Sequence, residues 1–286
     1  MIHRARISWP FRRHGKLAGA NRRHMEESTR PWRPASMILI VLATALALLD
    51  CAGHGRAMEV RVSGQGTRTS IDKDLPDDPA VAELIAPYRE AVSQKMSETL
   101  AFSSVPMERG EPEGLLGALA CDLVLARARA ATGLPVDGCV LNNGGLRRGL
   151  PVGRITLGDI YEVMPFDNEI VVLRFDREQM QALADQVAGT GGEPIAGFGF
   201  RISGKRAQDL QVAGGSLTDR DYFIATSDYL SGGGGAMAML WEAQETIPTG
   251  ITIRDALIDG LRAYGAGGTA DEPGTIPVPE MRRISQ

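Results

Sequence analysis

Histidine is missing from most of this chain. The four present are His3, His14, His24 and His54, and none follows. A folded unit built from the later residues therefore cannot assemble a Ser-His-Asp triad, a Cys-His pair or a zinc site with imidazole ligands. Cysteine is scarce as well. Cys51, Cys121 and Cys139 contain no CxxC pair, which argues against a structural zinc or iron–sulfur site. A basic surplus is lacking after residue 57: residues 58–286 hold twenty-one Lys and Arg against thirty-two Asp and Glu. A body that acidic is a poor partner for the phosphate backbone of nucleic acid. What remains is an ordinary globular balance, 43% apolar and 23% charged, which excludes wholesale disorder.

Long apolar runs are also few. The one that stands out is Met37–Leu49, thirteen residues, short for a transmembrane span and the right length for the apolar centre of a signal peptide. Arg22, Arg23, Arg30 and Arg33 precede it, and Gly55-Arg56-Ala57 offers small residues at the specificity positions of a cleavage site before Met58. Residues 1–57 thus read as a basic leader with a signal peptide, and the body as exported, periplasmic or extracellular. An uncleaved leader would make it the only membrane contact. Asp50 weakens a lipoprotein reading through Cys51, and Met25 is an alternative start. In an oxidising compartment Cys121 and Cys139 would be left as a bridge or as two buried thiols.

Residues 58–79 read as a linker rich in Gly, Thr and Asp. Ser70 and Lys73 match an SxxK pattern there by chance, since no supporting motif accompanies them. A helix is expected after Asp78-Pro79, through Leu84, Ile85 and Tyr88, and a strand within 97–105. Leu116, Leu119, Leu123 and Val124 recur at helical spacing over 113–131, and Gly133 with Pro135 stops that helix. Cys139-Val140-Leu141 makes a short buried strand. Thr156 with Asp159 and Asp176 with Gln179 are capping boxes, separated by a strand over 169–175. Residues 196–203 and 207–213 suggest a hairpin, and 221–227 a strand. Thr252 and Asp255 open the last clear helix. The tail 269–286 is Gly/Pro-rich and reads as loose. The class is mixed α/β (α+β), with one folded unit over 80–268.

Four segments stand out: Glu113–Asp122, Asn142–Arg147, Met164–Asn168 and Tyr222–Gly235. The loop Asn142-Asn143-Gly144-Gly145-Leu146-Arg147, followed by Pro165-Phe166-Asp167-Asn168, is the most specific of them. In this order and spacing the segments resemble the C-terminal, substrate-binding domain of the 5'-nucleotidase / UDP-sugar hydrolase family, over residues 80–268. The resemblance implies that Phe166 and Tyr229 sandwich a base. It implies that Asn142 and Asn168 hydrogen-bond the substrate and that Arg147 is directed at the nucleotide. The residue types suit those tasks: rings stack on a flat base, amides read donors and acceptors, and Arg offers a planar fork.

The family's separate N-terminal metallophosphoesterase domain, with its two metal ions, has no counterpart here. The resemblance therefore implies no catalytic and no metal-binding residue in this chain, no cofactor of its own, and a divalent metal only through a partner domain. The expected ligand is a nucleoside, nucleotide or nucleotide sugar, and the expected partner a separate metallophosphoesterase chain. The alternatives are a non-catalytic binding module for a nucleoside or other flat ligand, and a structural domain with a dead pocket. Two departures bear on the choice. Gly235 stands where the family has the aspartate that binds ribose hydroxyls. Glu108 and Pro112 stand where it has arginines, although Arg109 is close. Read alone, Phe166 after Pro165 is a core anchor, Tyr229 a packed ring, Asn142 and Asn168 turn-formers, and Gly232–Gly235 a plain loop.

Overall fold

A computed structural model describes residues 75–269 and 271–286. The leader, the cleavage site, Ser70, Lys73 and most of the linker lie outside the described residues. Among the described residues no helix is long and apolar enough to cross a membrane.

The architecture is mixed α/β. Helix α1 (Pro79–Met96) leads into strand β1 (Thr99–Ser103) and helix α2 (Leu115–Thr132). Strand β2 (Gly138–Val140), strand β3 (Gly153–Thr156), helix α3 (Leu157–Val163), strand β4 (Glu169–Phe175) and helix α4 (Arg177–Gly189) follow. Then come β5 (Ile195–Ala196), β6 (Phe198–Ser203), β7 (Arg206–Val212), β8 (Gly215–Ser216), β9 (Tyr222–Ser227) and the one-turn helix α5 (Asp228–Ser231). Strand β10 (Glu245–Thr252), helix α6 (Ile253–Gly265) and β11 (Ile284–Ser285) complete the order.

The caps read from sequence hold the helices. Thr156 and Asp159 exchange hydrogen bonds at the start of α3, and Asp176 and Gln179 do so at α4. Gly133, at φ 66°, ends α2 in the left-handed conformation that a side chain would resist. Helix α1 carries its apolar residues Val81, Leu84, Ile85, Tyr88 and Val92 exposed, and none of its residues is buried.

The central sheet has the order β10-β4-β9-β2-β5. Strand β4 is buried on both faces, which is why it reads as the unbroken run Glu169–Phe175 rather than an alternation. Ile170 and Val172 enter a core shared with α2, α3 and α6. Val171, Leu173 and Phe175 enter a second core under α4 and the β6–β7 hairpin. Strand β10 is an edge strand, nowhere buried and interrupted by Pro248 and Gly250, so it carries no pattern that sequence reading could detect.

The tail corrects one expectation. Residues 271–286 are docked rather than loose. Thr275 bridges Phe102, Ile276 and Ile284 are buried, and β11 pairs in parallel with β6. Arg283 reaches the Ile195 carbonyl at 2.7 Å and the Asp122 carboxylate at 2.6 Å. Two buried isoleucines and these bonds outweigh the Gly/Pro-rich composition. Cys121 and Cys139 are both free and buried side by side across α2 and β2, and burial, with the neighbouring Cys121 thiol, holds the Cys139 thiol well above its ordinary range.

Topology gathers the signal-bearing loops at one edge of the sheet. Strands β2 and β9 are parallel neighbours, with Gly138 opposite Ile224, so the Asn142 loop and α5 leave from the same end. Strand β4 runs antiparallel to β9 with Ile170 opposite Ser227, so the residues entering β4, Phe166 to Asn168, lie at that end too.

Candidate functional site

At this edge Asn142, Gly144, Gly145, Arg147, Phe166, Asn168 and Tyr229 line one cavity of about 370 Å³. All five residues singled out in the sequence are brought together. Phe166 is 42% exposed and Tyr229 52%, so neither ring is a core anchor. A ring left half in water costs apolar hydration that a stacked ligand would recover.

The Asn142–Arg147 loop is a single turn of 3-10 helix over Asn143–Gly145. Its glycines let the Asn142 amide lie close: a Cβ at Gly145 would stand 3.0 Å from the Asn142 amide oxygen, which would have to give by a few tenths of an ångström. Behind the loop, Glu193 accepts the Asn143 N–H at 2.7 Å and Arg109 reaches the Asn143 carbonyl at 3.3 Å. Burial pushes the Glu193 carboxyl above the usual range, against the pull of that N–H. Arg109 therefore buttresses the loop and does not line the cavity.

The two adjacent arginines differ in use. Arg148 is ion-paired with Glu162. The Arg147 side chain donates only to the Gly144 carbonyl, at 3.1 Å, and makes no salt bridge among the described residues. Among the described residues its charge is the one cation lining the cavity, which makes the cavity attractive to an anion.

Gly232–Gly235 is more than a plain loop. The Tyr229 ring lies directly on Gly234, where any Cβ would collide with it, and the Gly234 N–H donates to the Tyr229 carbonyl at 2.7 Å. The Trp241 ring lies on Gly233, 2.9 Å from where a Cβ would stand, and its indole N–H donates to the Leu230 carbonyl at 3.2 Å. The tract is a seat for two aromatic rings. A shallower depression beside the cavity shares Asn168 and Tyr229 and adds Asp228 and Gly232–Gly235. Sequence reading missed Glu193, Trp241 and the ring contact that explains Gly234.

That contact is testable. Gly234→Ala is expected to displace the Tyr229 ring and weaken binding of a stacked ligand about tenfold, the loss of roughly 1–3 kcal/mol of stacking at one wall. The fold should survive, since the tract lies at the surface. Calorimetric titration with circular dichroism as control checks both.

An α+β domain with a ring-lined cavity at one sheet edge is the class that fold and site define. The model of the "5'-nucleotidase, C-terminal domain" family matches residues 95–242, and the chain belongs to that family. The 5'-nucleotidase of Vibrio cholerae is 22% identical over 216 residues, covering 72% of this chain and 38% of the enzyme. The trifunctional nucleotide phosphoesterase protein YfkN of Bacillus subtilis is 24% identical over 218 residues, 68% of this chain and 15% of that protein. Among solved structures, the 5'-nucleotidase precursor of Thermus thermophilus superposes with a TM-score of 0.58 at 24% identity, over 73% of this chain and 43% of that one. The NAD nucleotidase of Haemophilus influenzae superposes with a TM-score of 0.55 at 15% identity, over 73% and 41%. At these identities the structural likeness establishes the fold, and the chain spans less than half the length of each of these relatives.

Proposed function

We propose that this chain binds the nucleoside part of a nucleotide or nucleotide sugar, as the substrate-holding half of an exported nucleotide hydrolase. The observation that carries the reading is the convergence on one cavity of two half-exposed rings, two amides and an arginine that makes no salt bridge among the described residues. Phe166 and Tyr229 would hold the base, Asn142 and Asn168 its edge or sugar, and Arg147 the phosphate. Hydrolysis would be supplied by a metallophosphoesterase on a separate chain, which would also bring the divalent metal. Each relative extends well beyond the matched region, which is consistent with a further part doing the chemistry. The leader read from residues 1–57 supports export, as does the word precursor in the name of the Thermus relative.

A second reading, a binding module without catalysis, is favoured by one feature. Gly235 adds no carboxylate of its own to the depression beside the cavity, where Asp228 is the acidic residue among those described, and it takes φ 72°, where a side chain is strained. Thermal-shift screening of the full chain against nucleosides, nucleotides and nucleotide sugars tests the shared premise. A ligand at 100 times its dissociation constant should add about 2.7 kcal/mol of stability. No response from the whole set would refute both readings. Gly235→Asp is expected to tighten ribose-bearing ligands over their dideoxy analogues, since Asp tolerates positive φ better than most residues. The two readings part on turnover: addition of a metallophosphoesterase encoded beside this chain should raise hydrolysis under the first and leave it unchanged under the second.

A further inference from the structure

The structure assigns to Arg254 the placement of the Phe166 wall, and we infer that it is a positioning residue for ligand binding; this rests on the reading of the cavity given above. Arg254 is the second residue of α6, and its side chain is only 13% exposed. The guanidinium lies 4.5 Å from the centre of the Tyr161 ring, which comes from α3. From there it donates to the Phe166 carbonyl at 3.2 Å and to the Met164 carbonyl at 3.4 Å, and it pairs with the Asp167 carboxylate. The preceding residue, Ile253, donates its N–H to the Asn168 carbonyl at 2.9 Å. Two residues at the start of α6 thus hold four of the five residues between α3 and β4.

Those five residues need outside help. Pro165 has no N–H to give, and the segment belongs to neither the helix before it nor the strand after it. The carbonyl of the buried Met164 needs a donor from elsewhere in the fold, and Arg254 supplies it while also fixing the exposed Phe166 carbonyl that water could otherwise serve. A planar guanidinium with five N–H donors can stack on a ring and serve several acceptors in one plane, which a lysine ammonium cannot. The two cavity walls are therefore built differently. Tyr229 rests on its own glycine tract, whereas Phe166 and Asn168 depend on a helix beyond the matched residues 95–242. The binding unit extends to α6.

The test uses the full chain with AMP as probe, in a double-mutant cycle of Arg254→Ala and Phe166→Ala. Arg254→Ala is expected to weaken AMP binding about tenfold in the wild-type background, the scale of a lost charge-assisted hydrogen-bond set. In the Phe166→Ala background the further loss should be less than about twofold, because the residue acts through that ring. Arg254→Lys should recover only part of the affinity. Hydrogen exchange should rise in the peptide covering 164–168 and stay unchanged in β9. Equal losses in both backgrounds would show a general structural role and overturn the assignment. Unchanged exchange at 164–168 in Arg254→Ala would overturn it as well, and that measurement needs no ligand. If wild type fails to bind AMP while exchange at 164–168 rises in Arg254→Ala, the positional role stands and the proposed ligand class falls.

Discussion

Truncating both rings, Phe166→Ala with Tyr229→Ala, is expected to abolish measurable binding of a nucleoside or nucleotide while the fold stays native. Each ring contributes about 1–3 kcal/mol of stacking, so the pair accounts for roughly one to four orders of magnitude in affinity. The two rings are half exposed, so their removal opens no cavity in either core. That separates this result from a folding defect. Single truncations should each fall between wild type and the double variant. Arg147→Ala should instead cost more for phosphorylated ligands than for the free nucleoside, because its role is charge. Calorimetry on the set, with circular dichroism and thermal melts, decides it. Ring truncations that leave affinity within error in a native fold would remove the clamp and favour a domain with a dead pocket.

Asp137→Ala is expected to give a comparably large effect, on stability rather than on binding. Asp137 is 8% exposed and sits just before β2. Its carboxylate takes a two-pronged pair from Arg220, at 2.7 and 3.1 Å, and the Phe223 N–H at 2.9 Å. Its own N–H donates to the Phe223 carbonyl at 2.7 Å. The residue therefore ties the start of β2 to β9, the parallel pair whose ends carry the two loops of the site. Removal leaves a half-buried N–H unpaired, about 1–3 kcal/mol, and strips Arg220 of its counter-ion. Arg220 is 44% exposed and lies 4.0 Å from the centre of the Tyr222 ring, so its charge can rehydrate. The sum should be about 3 kcal/mol, or roughly 6–12 °C in Tm for a domain of this size. Asp137→Asn keeps an acceptor for Phe223 and should cost about half as much. Denaturant melts of the two variants check the ranking, and an Asp137→Ala protein as stable as wild type would show that the pair is dispensable.

Much of the fold was legible because the local signals agree with the tertiary outcome. The capping pairs Thr156–Asp159 and Asp176–Gln179 act within one turn, so four residues of sequence suffice to see them. Strand β4 was readable because both its faces are buried and its ends are marked by Asn168 and Asp176. Strand β10 was not, because an edge strand with one solvated face needs no apolar run. The docking of the tail was hidden for a related reason: Ile276 and Ile284 are isolated apolar residues in a turn-rich segment, and only the surfaces they meet make them core.

The site divides along the same line. The residue types were set out in the sequence itself: aromatic rings, amides and an arginine, in loops that follow short strands. So was the exclusion of histidine chemistry after residue 54. Only the tertiary structure decided that these residues share one cavity, because the parallel pairing of β2 with β9 and the antiparallel pairing of β4 with β9 bring three distant loops to one edge. Only it could assign Glu193 and Arg254, which nothing in the sequence sets apart from the other charged residues. Their partners lie 50 and 88 residues away, at Asn143 and Phe166. Hydrogen bonds at that separation leave no local pattern, since the geometry that makes them is created by the packing of the sheet and helices and not by the chain on either side.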